Sequence, residues 1–282
     1  MLEGIDALVF DVQDVGTRFY TYATTLGYAM EECGQRGVEV IVLDRPNPLG
    51  GELVSGPRTD EELLRFISYK PIPLVHGLTM GELAGLFRGE YGVECELSVV
   101  ELEGWRRRMR FEDTGLPWRN PSPNMRSATQ ALLYPGVGLL EACNLSVGRG
   151  TDQPFERLGA PWIDGPRLGR ALQELGLRGL EVTPIQFTPD ASRFEGELCQ
   201  GIQLLVRERS EVQPVELGFQ LAWTLQRLFP DDFEAEKVLD RLLAEEAFLA
   251  LRSAPGPGPF APLWSGDVSS FREQRLPYLL YR

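Results

Sequence analysis

Asp11, Gln13, Asp14 and Arg18 stand together in FDVQDVGTRFYTY, residues 10–22, directly after the apolar run of residues 5–10. Asp44, Arg45 and Asn47 follow the next apolar run in the same way, opening DRPNPLGG. Ligands of open parallel sheets bind beyond the carboxyl ends of the strands. Two strand ends finished with polar residues of the same kind would therefore face one crevice. Carboxyl, amide and guanidinium groups there are suited to holding a polar ligand. The plainer account of Asp11 or Asp14 is an N-cap for the helix that follows. Phe19 and Tyr22 share a helical face and read as core, whereas Tyr20 points elsewhere and could line a cleft. Arg18 near a helix start opposes the macrodipole, which suggests a carboxylate or ligand for it to hold.

Two further segments carry candidates. His76, the only histidine, sits in PLVHGLTMGEL between a short strand and a helix. Thr79 and Glu82 in the same segment fit a capping box, which leaves His76 unexplained. A single histidine excludes an HExxH metal site, and no GxSxG elbow is present. NLSVGRGT, residues 144–151, holds Arg149 between glycines that let backbone N–H groups approach a ligand; a plain turn is the alternative. Neither GxGxxG after a strand nor GxxxxGK[ST] occurs, so a dinucleotide or P-loop site has little support.

The elements that must position these residues read as α/β. Residues 5–10 predict a strand buried on both faces, residues 17–33 a helix, and residues 38–44 a second strand, so the order is β-α-β with a parallel sheet. A helix over 79–87 and a strand over 94–100 follow, then a long irregular stretch, 112–125. After residue 157 the alternation ends: a helix over 165–175, strands over 180–187 and 202–206, and helices over 215–228 and 233–251. This predicts a Rossmann-like parallel-sheet domain, 1–157, and a smaller α+β domain, 158–282.

Composition narrows the function classes. The 282 residues carry a net charge of -13, which disfavours nucleic acid and anionic lipid as partners. The four cysteines form no CxxC pair, so neither a zinc site nor a disulfide framework is indicated. No apolar run reaches membrane-spanning length.

Read together and in order, DVQDVGTRFYTY, DRPNPLGG, HGLTMGELA, SPNM, YPGVGLLEACNLSVGRGT and PFERLGAPW resemble the DUF1343 or YbbC family, now called NamZ. The resemblance covers nearly the whole chain. It implies a Rossmann-like domain plus a smaller C-terminal domain with the active site in the cleft between. It also implies an exo-β-N-acetylmuramidase that removes N-acetylmuramic acid from the non-reducing end of peptidoglycan fragments. No metal or organic cofactor is expected. Family members also carry an N-terminal portion with further strands, a Pro-Glu-His-Gly loop and often a signal peptide, to which this sequence has no counterpart. Localisation and oligomeric state are therefore left open, and a sugar-binding protein without turnover is the alternative. Glycoside hydrolysis needs two carboxyl groups, and the matched motifs offer Asp11, Asp14, Glu31, Glu82 and Glu141. Glu31 alternatively fills an exposed helix position, and Glu141 could orient the 144–151 loop. The lactyl carboxylate of the sugar calls for a planar cation, for which Arg18 and Arg149 are the candidates. Gln13, Tyr20, Asp44, Asn47, His76, Asn124, Asn144 and Thr151 complete the expected substrate contacts.

Overall fold

The computed structural model describes residues 2–282. The chain divides into two units, Met1–Pro117 with Ser265–Arg282, and Trp118–Trp264. The boundary expected after residue 157 falls inside the second unit.

In the first unit the strands are β1 (Ala7–Phe10), β2 (Glu39–Leu43), β3 (Ser55–Arg58), β4 (Pro73–Val75) and β5 (Leu97–Val100). β1, β2 and β5 form a parallel sheet in that order, with Phe10 opposite Val42 and Val42 opposite Val99. Helices α1 (Tyr22–Gly34) and α2 (Met80–Glu90) supply the crossovers. Their apolar residues recur at helical spacing, and Leu26, Met30, Cys33, Leu83 and Phe87 bury against Phe10, Val40 and Val42. Each such side chain contributes roughly 1.5–3 kcal/mol by leaving water. β3 and β4 form a separate antiparallel pair.

Two sequence expectations are corrected here. β1 is not buried on both faces: Val9 is 56% exposed and Ile5 42%, while Phe10 faces the core. β1 pairs with β2 alone among the described residues, and the helices cover one face of the sheet, so the strands alternate in burial. The first helix starts at Tyr22, not at residue 17. Gly16 adopts φ +78°, and the backbone of residues 17 and 18 pairs with β4 through a Thr17–Val75 bridge and the Arg18 N–H to Leu74 O.

The second unit contains α3 (Ala128–Val137), β6 (Arg157–Ala160), α4 (Gly165–Leu175), β7 (Leu180–Phe187), β8 (Cys199–Val206), α5 (Pro214–Leu228), α6 (Leu239–Leu242) and α7 (Glu245–Ser253). Its sheet is antiparallel, in the order β6-β8-β7. α3 and α5 cross so closely that a Cβ at Gly136 would lie 2.1 Å from the carbonyl oxygen of Pro214. The single helix expected over 233–251 is broken, because Leu243 takes a left-handed φ of 55°. The chain then returns to the first unit as α8 (Ser265–Arg275), where Asp267 accepts from the Arg58 N–H. No helix among the described residues is long and apolar enough to cross a membrane.

Candidate functional site

The two strand-end loops of the first unit meet. Arg45, after β2, donates from Nε to Asp11 Oδ1, after β1, at 2.7 Å, and the pair is half-exposed. Gln13 Nε2 donates to Pro46 O at 2.9 Å. A Cβ on Gly16 would lie 2.4 Å from Asn47 Oδ1, so only glycine fits where the loops touch. Two residues expected to contact substrate brace this junction instead. Asn47 donates to Leu78 O and accepts from the Leu49 N–H. Asp44 accepts from the Arg45 and Gly81 N–H groups and from the hydroxyls of Thr79 and Tyr281. It thereby fixes the start of α2.

Asp14 and His76 lie deeper in the same unit. Asp14 is 6% exposed and His76 fully buried. Asp14 Oδ2 accepts from the Gly16 N–H at 2.6 Å and lies 3.9 Å from His76 Nε2. Asp14 Oδ1 and His76 Nε2 are buried without a hydrogen-bond partner among the described residues. Burial raises the Asp14 carboxyl to about 7, against the pull of the Gly16 and Val15 N–H groups. Burial, with Arg275 and Arg18 nearby, lowers His76 to about 3, so the imidazole is neutral.

The remaining first-unit candidates are engaged elsewhere. Arg18 does not enter the helix: its buried guanidinium donates to Pro57 O and Ile72 O, and burial lowers it to about 9. Tyr20 is buried, edge-on to Tyr22 at 4.9 Å. Glu31, within α1, accepts the Tyr69 hydroxyl at 2.5 Å. Glu82 closes the capping box with Thr79, and its Oε1 also takes Arg107 Nη1 at 2.6 Å and the Leu280 N–H at 3.0 Å.

In the second unit a pocket of about 480 Å³ is lined by Glu141, Ser146, Arg149, Arg193 and Arg241 among others. Glu141 sits between two arginines, accepting from Arg149 Nη1 and from Arg241 Nη2 at 3.0 Å. Arg149 keeps 42% of its side chain exposed, and its Nε has no partner among the described residues. Thr151 and Asn144 shape the loop: Thr151 donates to Gly148 O, and Asn144 ties to Asp232 O and the Glu234 N–H. Asn124 lies in the turn that the Met125 N–H closes onto Ser122 O, and Arg126 joins that turn to Thr151 O. Arg193 and Arg241 carried no sequence signal, since each lies far along the chain from the 144–151 motif and in no motif of its own.

This fold and these sites define a two-unit α/β protein with an Asp11–Arg45 ion pair where two strand-end loops meet, a buried Asp14–His76 contact and an arginine-lined pocket. The chain belongs to the NamZ family. The sequence model described as "Exo-beta-N-acetylmuramidase NamZ, N-terminal" matches residues 1–129, and that described as "Exo-beta-N-acetylmuramidase NamZ, C-terminal" matches residues 132–281. The chain is 46% identical over 234 residues to the peptidoglycan beta-N-acetylmuramidase NamZ of Bacillus subtilis (strain 168), covering 83% of this chain. It spans 56% of that relative's length. Two crystal structures of DUF1343 family proteins from Bacteroides fragilis NCTC 9343 have the same fold. One superposes with a TM-score of 0.90 at 32% identity over 100% of this chain and 76% of the other. The second gives 0.80 at 28% over 98% and 76%.

Proposed function

We propose that the chain acts as a glycoside hydrolase that releases N-acetylmuramic acid from the non-reducing end of peptidoglycan fragments. One observation carries the chemistry: Asp14 is a buried carboxyl that holds its proton to about pH 7 and keeps one oxygen unengaged. A general acid needs both properties. Asp14 donates its proton to the glycosidic oxygen as the bond to C1 breaks. Asp11, on the loop of Asp14 and ion-paired with Arg45 of the loop after β2, serves as the carboxylate that assists the incoming water or attacks C1. In the second unit, Arg149, its guanidinium fixed by Glu141 and Arg241, offers a planar cation suited to a carboxylate. The family membership and the muramidase relative support the substrate class.

A second reading, sugar binding without turnover, is favoured by one observation. Asp11, Glu31, Glu82 and Glu141 all have side-chain partners within hydrogen-bond distance, leaving few carboxyl groups for catalysis. Turnover of a chromogenic N-acetylmuramic acid glycoside, measured beside binding of the same sugar, separates the two. Binding without release of the chromophore would refute the hydrolase.

A further inference from the structure

The first unit holds a pocket of about 490 Å³ lined by Glu52, Trp105, Arg106, Arg108 and Arg282. Its origin is local. In WRRRM, residues 105–109, burial alternates: Trp105 and Arg107 are buried, whereas Arg106 and Arg108 are exposed. Arg107 turns inward to Glu82 and the carbonyls of Gly51 and Gly77, and the Met109 N–H closes a turn onto Arg106 O. Arg106 and Arg108 are thereby held on the outer side. The Arg107 N–H donates to Arg282 O at 3.1 Å, which brings the third guanidinium alongside.

The pocket's charge is out of keeping with the chain. Acidic residues outnumber basic ones 41 to 28, yet three guanidinium groups converge here. None of the three has a side-chain hydrogen bond or ion pair among the described residues. Glu52, at the same pocket, pairs with none of them within 4.0 Å. Trp105 adds a second, independent observation. It is 6% exposed, and its indole Nε1–H is buried without an acceptor among the described residues. A buried donor without an acceptor is costly, and an oxygen placed against it would remove that cost.

We infer that this pocket is a binding site for an oxyanion, a carboxylate or a phosphate group, held by Arg106, Arg108 and Arg282 and by the Trp105 indole N–H. Planar guanidinium forks suit both anions. The volume exceeds what a bare ion fills and lies within the usual range of small-ligand pockets, about 300–1,000 Å³. The inference stands independently of the muramidase reading.

The test follows the Trp105 indole N–H by nitrogen-15 NMR at low ionic strength, with inorganic phosphate in one titration and acetate in another. Trp105→Phe assigns the signal. The expected result is a saturable shift of that signal alone among the tryptophans, with the anion that saturates first naming the preferred group. In Arg106→Ala/Arg108→Ala, both exposed positions, apparent affinity should fall about tenfold or more, as loss of charge-assisted hydrogen bonds requires. If Trp105→Phe does not fold, the signal that loses its response in the double-arginine variant carries the same test. Absence of saturation with both anions, or equal affinity in the double variant, would overturn the inference.

Discussion

Asp14 Oδ2 and His76 Nε2 face each other at 3.9 Å in a buried part of the first unit. His76 Nδ1 accepts the Leu78 N–H, so the neutral imidazole carries its proton on Nε2, the nitrogen nearer the carboxyl. Below about pH 7 the pair is an acid and a base that are both uncharged, the reverse of an ion pair.

That reversal fixes how stability depends on pH. Native Asp14 keeps its proton to about 7, whereas the unfolded group loses it near 3.8. Between those values the native state binds the extra proton, so this group's contribution falls as pH rises. Native His76 stays neutral down to about 3, whereas the unfolded group protonates below 6.5. Its contribution falls as pH drops through that window. From about pH 4 to 6.5 the two slopes oppose, each up to about 1.4 kcal/mol per pH unit. Asp14→Asn removes one of them. Urea unfolding should show near-constant wild-type stability across this window and a stability in the variant that rises with pH. Identical slopes in both proteins would contradict the assignment.

The α/β class was legible from the sequence because buried strands and helical periodicity are local signals. The spans of α4 and β7 follow directly from their patterns, and the Thr79–Glu82 capping box is a three-residue rule that the structure obeys. The meeting of the two strand-end loops was legible too, from DVQD and DRPN each following an apolar run. What failed depends on distant partners. Arg18 is claimed by carbonyls 39 and 54 residues away, and Asp44 by a tyrosine 237 residues away. α8 returns to the first unit across the whole second one, which no local pattern reports. Arg193 and Arg241 join Arg149 only through tertiary folding.

Glu82 and Arg107 form a buried pair at 2.6 Å, and Arg107 also reaches the carbonyls of Gly51 and Gly77. Removing one partner leaves the other desolvated, at a cost of roughly 3–5 kcal/mol. Glu82→Gln should therefore lower the unfolding midpoint strongly while leaving the KM of the remaining folded fraction unchanged. A stable Glu82→Gln protein with abolished turnover would instead assign Glu82 to the chemistry.

Arg149→Ala should weaken recognition of an N-acetylmuramic acid glycoside by roughly 1.5–3 kcal/mol, as expected for losing hydrogen bonds to a charged group at a half-exposed side chain. The matching N-acetylglucosamine glycoside, which lacks the lactyl carboxylate, should be little affected. Comparing kcat/KM on the two sugars reads the difference. Equal losses would refute the assignment.

Val9 on β1 and Val100 on β5 lie exposed at the two edges of the parallel sheet, and an open apolar strand invites pairing with another chain. Sedimentation should reveal concentration-dependent self-association of the 282-residue chain, reduced by Val9→Lys. A monomer at all concentrations would contradict this.

The central claim is that Asp14 supplies the proton to the leaving sugar oxygen. The direct measurement is kcat/KM of the wild-type chain and Asp14→Asn on a chromogenic N-acetylmuramic acid glycoside across pH 4–9, with folding checked by circular dichroism. Wild-type turnover should decline above about pH 7, where Asp14 loses its proton. The variant should lose about 10²–10⁴ at neutral pH, the usual contribution of a general acid. A folded Asp14→Asn protein that turns over at the wild-type rate with the same pH profile would contradict it.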